Sequence, residues 1–126
     1  MDMGDYQKQA KAFMIYPESE KITYPILGLV SEAGEVADKY KKIIRDKDGV
    51  MSDEDRVEML KEIGDVLWYL SAICTDINMP LHQASLMNLQ KLNSRLSRNV
   101  IKGSGDNRWV LINSKVIIQR MHLYLI

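Results

Sequence analysis

The chain has 126 residues, enough for one domain and too few for two. Lys plus Arg and Asp plus Glu number 17 each, so the formal net charge is zero and no basic excess supports non-specific nucleic-acid binding. The single cysteine, Cys74, excludes an internal disulfide and suits a reducing compartment, the opening MDMGDYQKQAK lacks the order of a signal peptide, and no run approaches the roughly 18 apolar residues of a membrane span.

A cytoplasmic protein with neither membrane nor nucleic acid as partner is therefore expected. A lone helical domain of this size has an unfavourable surface-to-volume ratio, which favours oligomerisation. Few prolines and glycines, and little strand-like alternation before the C-terminus, predict an all-α fold of four helices and a tail.

The first helix is expected over about Asp5 to Ile15, closed by Tyr16-Pro17, because a residue before proline avoids the helical region. The second is expected from Ile22 or Pro25 to Arg45, with its apolar positions at the i, i+3, i+4 rhythm from Ile26 to Ile44. The stretch Asp46-Lys47-Asp48-Gly49 should end it. Ser52 followed by Asp53, Glu54 and Asp55 has the pattern of an N-cap with acids in the first turn, opening a third helix to about Ile77. Pro80 suits the first position of a fourth helix, which should run to about Asn99 before the breakers Gly103 and Gly105. Residues 109–126 hold short apolar runs that fit strand, hairpin or packing helix equally.

Two acidic pairs carry the chemistry. Glu32 and Glu35 are three apart on the second helix, and Glu62 and Asp65 on the third, so each pair projects from one helical face. Both pairs flank an apolar stripe, and antiparallel packing of the two helices would turn them to one groove. Four carboxylates there need a counter-charge, for which a hard divalent cation with oxygen ligands is suited. The same spacing also fits solvated acids paired with lysines, as Glu35 with Lys39 and Asp38 with Lys42. A di-iron bundle wants Glu-x-x-His on two helices, and neither His82 nor His122 stands at that spacing.

The segment Gly28-Leu29-Val30-Ser31-Glu32-Ala33-Gly34-Glu35-Val36-Ala37-Asp38-Lys39, followed by Glu62-Ile63-Gly64-Asp65-Val66-Leu67-Trp68-Tyr69, resembles the MazG-like nucleotide pyrophosphohydrolases. Asn88 to Arg95 and Lys102 to Arg108 resemble the C-terminal part of the same family, so the resemblance covers about residues 5 to 108. It implies a MazG-like domain over 1–108, an all-α bundle completed by oligomerisation as a homodimer or homotetramer, with active sites near the interface. Residues 109–126 form an apolar extension outside it, read as interface packing. The implied reaction is hydrolysis of a nucleoside triphosphate between the α and β phosphates. Glu32, Glu35, Glu62 and Asp65 are then ligands of Mg²⁺, for which Mn²⁺ should substitute, and one of the first pair also activates water. Many members open the first motif with two adjacent glutamates; here Ser31 precedes Glu32.

Phosphate oxygens need fixed positive charge. Lys91 and Arg95, one turn apart on helix four, suit that role, with Lys39, Lys42, Lys102 and Arg108 as further cations and the Tyr69 hydroxyl on the acidic stripe. Asn88 and Trp68 are candidates for other substrate contacts. For each a structural role is the alternative: surface charge for Lys91 and Arg95, ion pairing for Lys39 and Lys42, packing for Trp68. A non-catalytic helical interaction module or a nucleotide sensor would use the same helices without turnover.

Overall fold

The computed structural model describes residues 1–104. Two compact units divide the chain, Met1–Leu81 and His82–Ile126. Among the described residues every regular element is helical: α1 (Met3–Ala10), a 3₁₀ turn (Lys11–Phe13), a second 3₁₀ turn (Glu18–Glu20), α2 (Thr23–Lys47), α3 (Asp53–Asp76) and α4 (Leu81–Ser97). The expected all-α fold is what the structure has. The apolar extension expected at 109–126, and the domain boundary before it, lie outside the described residues.

α1 begins earlier than Asp5. The Asp2 carboxylate accepts from the Asp5 N–H at 2.8 Å and the Asp5 carboxylate accepts from the Asp2 N–H at 3.5 Å, so a reciprocal box satisfies two donors that a helix start leaves open. Beyond Ala10 the coil tightens to 3₁₀ and stops before Pro17. Gln7 ties α1 to the far end of α3: its amide nitrogen donates to Met79 O at 2.9 Å and Thr75 Oγ1 at 3.2 Å, and its amide oxygen accepts from the Leu81 N–H at 2.7 Å. Trp68 adds a second tie, its indole N–H donating to Ala10 O at 3.3 Å.

α3 starts as its sequence predicts. Ser52 Oγ accepts from the Asp55 N–H at 3.1 Å, and the Asp55 carboxylate accepts from the Ser52 N–H at 2.9 Å. α2 starts differently, with no side-chain cap. Ile22 before it has φ +69° and ψ −52°, and Thr23 N–H closes onto Lys21 O at 2.8 Å. This is the rare positive-φ γ-turn, which for a β-branched residue costs on the order of 1–3 kcal/mol. Pro25 lies in the first turn of α2 and is fully buried.

Helix ends use left-handed asparagines. Asn78 has φ +56°, with Met79 N–H bonded to Cys74 O and Asn78 N–H to Thr75 O, and Asn99 closes α4 by the same pair of bonds, from Val100 to Arg95 and from itself to Leu96. α4 therefore stops ahead of Gly103. At the end of α2 the left-handed Asp48 and Gly49 turn the chain toward Ser52.

α2 and α3 form the main helix pair. Tyr69 lies over Gly28, Lys39 reaches Glu62, and Lys47 reaches Asp55. Residue numbers rise on one helix as they fall on the other, so the pair is antiparallel, as short connections between helices impose. The apolar stripes are wider than one neighbour covers. Ile43 is buried, yet Val30 is 68 % exposed on α2 and Leu60 65 % on α3.

Candidate metal and phosphate site

Three carboxylates come together on the antiparallel pair. One oxygen from each of Glu32, Glu62 and Asp65 lies within 4.8 Å of the others, a set able to hold a metal ion. The convergence follows from i, i+3 spacing on α3 and from the register between the helices. Glu35 is exposed and outside this set. Its charge nonetheless reaches Glu32, whose carboxyl is pushed above its ordinary range by burial first, then by Asp65, Glu62 and Glu35. Like charges held this close favour whatever neutralises them.

One such cation is built in. Lys39 Nζ lies 3.1 Å from Glu62 Oε1 and 3.8 Å from Glu58 Oε2, and the Glu62 hydrogen bond is the main cause that raises the pKa of the ammonium. The Glu35–Lys39 pairing that the alternative reading allowed along α2 is not made; Lys39 crosses to α3 instead, where Glu62 is the less solvated partner. Asp38 does pair with Lys42, and with Lys41 as well. These contacts hold Asp38 down to about 2, the Lys41 bond contributing most.

Phenols border the acids. A Cβ on Gly28 would come 2.0 Å from the Tyr69 ring, so only glycine lets that ring lie on the α2 backbone. The Tyr69 hydroxyl is pushed up by burial, then by Tyr24 beside it, by Glu32 and by Asp65. Tyr6 from α1 is raised by burial and by Asp65. Tyr6 and Tyr24 escaped the sequence reading because they belong to no acidic stripe; proximity to the motif helices arises only on folding. Trp68 stands edge-on to Tyr69, ring centroids 4.9 Å apart at 83°, with its N–H committed to Ala10.

Toward the loop end of the pair, a cleft of about 230 Å³ includes Lys39, Lys42, Lys47, Asp55 and Glu58 in its lining. It does not coincide with the three acids. Lys47 is held by both Asp55 oxygens at 2.7 Å, and Lys42 by Asp38, so the cleft presents neutralised pairs.

The other predicted residues lie in the second unit. Lys91 and Arg95 are one turn apart on α4 and half-buried, Asn88 on the same helix is exposed, and Lys102 is exposed beyond its end. Arg108 lies outside the described residues. No helix among the described residues is long and apolar enough to cross a membrane.

Comparisons with known proteins identify the family of the chain. The model of the MazG nucleotide pyrophosphohydrolase domain matches residues 21–99, the span that carries all four acids. The Gene 37 protein of Mycobacterium phage L5 is 45 % identical over 114 residues, covering 86 % of this chain and 100 % of the relative. No solved structure matches the chain significantly.

Proposed function

The chain belongs to the MazG nucleotide pyrophosphohydrolase family, and from that premise we propose that it hydrolyses (deoxy)nucleoside triphosphates to monophosphate and pyrophosphate with Mg²⁺, for control or cleaning of the nucleotide pool. The observation that carries the reading is the close approach of Glu32, Glu62 and Asp65 on two helices of the matched domain. Their oxygens fit a hard divalent ion, and Lys39 is paired with one of the three.

Glu32, Glu62 and Asp65 would hold the ion, which when bound supplies neutralisation of phosphate charge and a bound water of lowered pKa. In the proposed reaction the water oxygen joins the α phosphorus, the bond from that phosphorus to the bridging oxygen breaks, and pyrophosphate leaves. Glu35, exposed one turn from Glu32, takes the proton of the attacking water. Lys39 exchanges its bond with Glu62 for a phosphate oxygen, and the Tyr69 hydroxyl orients the triphosphate. Lys91, Arg95, Lys102 and Arg108 supply further cationic contacts, and Asn88 and Trp68 the contacts to the rest of the nucleotide.

A homodimer or homotetramer completes the bundle in this reading. Its support is the exposed apolar face of α2 and α3, including Leu27, Val30, Val57 and Leu60, each more than half exposed. Exposed apolar positions along both helices are what a partner surface would cover.

A panel of nucleoside triphosphates assayed with Mg²⁺ or Mn²⁺, with pyrophosphate distinguished from orthophosphate, tests the reaction. Release of pyrophosphate is expected. Protection against thermal unfolding by a triphosphate without product would instead mark a sensor, and neither turnover nor any thermal shift with Mn²⁺ would leave a helical interaction module.

A further inference from the structure

The start of α2 is held by the last residue of α3. Asp76 Oδ2 accepts from the Tyr16 hydroxyl at 2.7 Å and from the Ile22 N–H at 2.9 Å. Ile22 is the positive-φ residue before α2, so the carboxylate steadies a turn that its own sequence disfavours. The Tyr16 ring stacks on Tyr24, centroids 4.8 Å apart and planes 18° from parallel. Tyr24 in turn neighbours Tyr69, whose ring rests on Gly28 and whose hydroxyl senses Glu32 and Asp65.

Asp76 is poorly placed for its own helix. An acid in the last turn opposes the helix dipole, and no basic residue accompanies it there. Its second oxygen, Oδ1, is buried and has no hydrogen-bond partner. A residue that breaks local rules on its own element, while closing a strained turn more than fifty positions earlier in the chain, acts for the tertiary structure.

We propose that Asp76 is a positioning residue for the carboxylate site: through Tyr16 and the turn at Ile22 it fixes Tyr24, and with it Tyr69, against Glu32 and Asp65. The proposal rests on the reading of those acids as the metal and phosphate site. Asp76 touches neither metal nor substrate and acts only through Tyr16, the turn at Ile22, and the two tyrosines beyond them, Tyr24 and Tyr69.

The test uses the full chain with Trp109→Phe, which leaves Trp68, edge-on to Tyr69, as the single tryptophan of the 2 in the sequence. Asp76→Ala should shift the Trp68 emission maximum, weaken Mn²⁺ binding and lower kcat by about 10- to 100-fold, the range of outer-shell changes at metal sites, with KM moved far less. Asp76→Asn keeps an acceptor oxygen for Tyr16 and Ile22 and should restore emission and Mn²⁺ affinity. Tyr16→Phe removes one bond only and should shift emission in the same direction by less, which covers the case of an Asp76→Ala chain that does not fold. Unchanged emission and Mn²⁺ affinity in folded Asp76→Ala, or in Tyr16→Phe should Asp76→Ala fail to fold, would overturn the proposal. So would an Asp76→Asn as damaged as Asp76→Ala. If the parent protein releases no pyrophosphate from any nucleotide, the reaction fails, while emission and Mn²⁺ binding still decide the role of Asp76.

Discussion

α2 and α3 are similar in length and each carries an acidic pair at i, i+3, yet they reach the site by different routes. α3 opens on a local box between Ser52 and Asp55 and delivers both Glu62 and Asp65 to the close group. α2 opens on a strained Ile22 secured by Asp76 from another helix, and delivers Glu32 while Glu35 stays exposed. Spacing places two side chains on one face of their own helix. It does not decide how that face is turned toward a neighbour, and of the α2 pair it is Glu32 whose oxygen comes within 4.8 Å of Glu62 and Asp65.

The sharpest way to break this comparison is to remove one acid at a time. Asp65→Asn should lower kcat on the order of 10³-fold and abolish Mn²⁺ binding seen by calorimetry, since several kcal/mol of charge stabilisation goes with the ion. Glu35→Gln should lower kcat by about 10²-fold, the usual range for a lost general base, with Mn²⁺ affinity retained. Loss of Mn²⁺ affinity in Glu35→Gln would put Glu35 among the ligands and erase the distinction between the pairs.

The helix starts predict a smaller contrast. Ser52→Ala should cost about 1 kcal/mol in urea unfolding, because the cap is a single local hydrogen bond. Asp55 is held down to about 2, first by Lys47 and then by Ser52. Its contribution is present above its ordinary 3.8 and is lost as pH falls through about 2. Acid titrations of Asp55→Asn should therefore lack part of the stability lost by the parent in that window.

Glu32 gives the smallest effect and the opposite sign. Its folded pKa is raised above the ordinary 4.5, so the folded state binds more protons than the unfolded chain between the two values. Without metal, stability falls as pH rises through that window. Glu32→Gln should thus raise the unfolding free energy at neutral pH in EDTA by less than about 1 kcal/mol after solvent screening, although in the proposed reaction it removes a ligand and lowers turnover.

Much of this was legible in one dimension. The cap at Ser52, the break at Asp48-Gly49 and the four helices follow from residues acting on their near neighbours. The early start of α1 was missed because Asp2 and Asp5 make a box from two aspartates, an unusual pairing for that motif. The acids of α3 were legible as a unit because their spacing and their motif agree. Lys39 was legible as an ion-pair partner, though not as a partner of Glu62, since a lysine stem reaches across a helix interface as readily as along its own helix.

By itself the sequence determined that there are four helices, the cap at Ser52, which faces are apolar, and which acids share a face, because those properties depend on periodicity and on bonds within a turn. Only the tertiary structure decided that oxygens of Glu32, Glu62 and Asp65 lie within 4.8 Å of one another, that Lys39 pairs with Glu62, that Gly28 makes room for Tyr69, and that Asp76 holds Ile22 in an unfavourable turn. Each of these depends on the rotation and register of α2 against α3. That register is set by burial summed over the whole pair, so no short stretch of chain contains it.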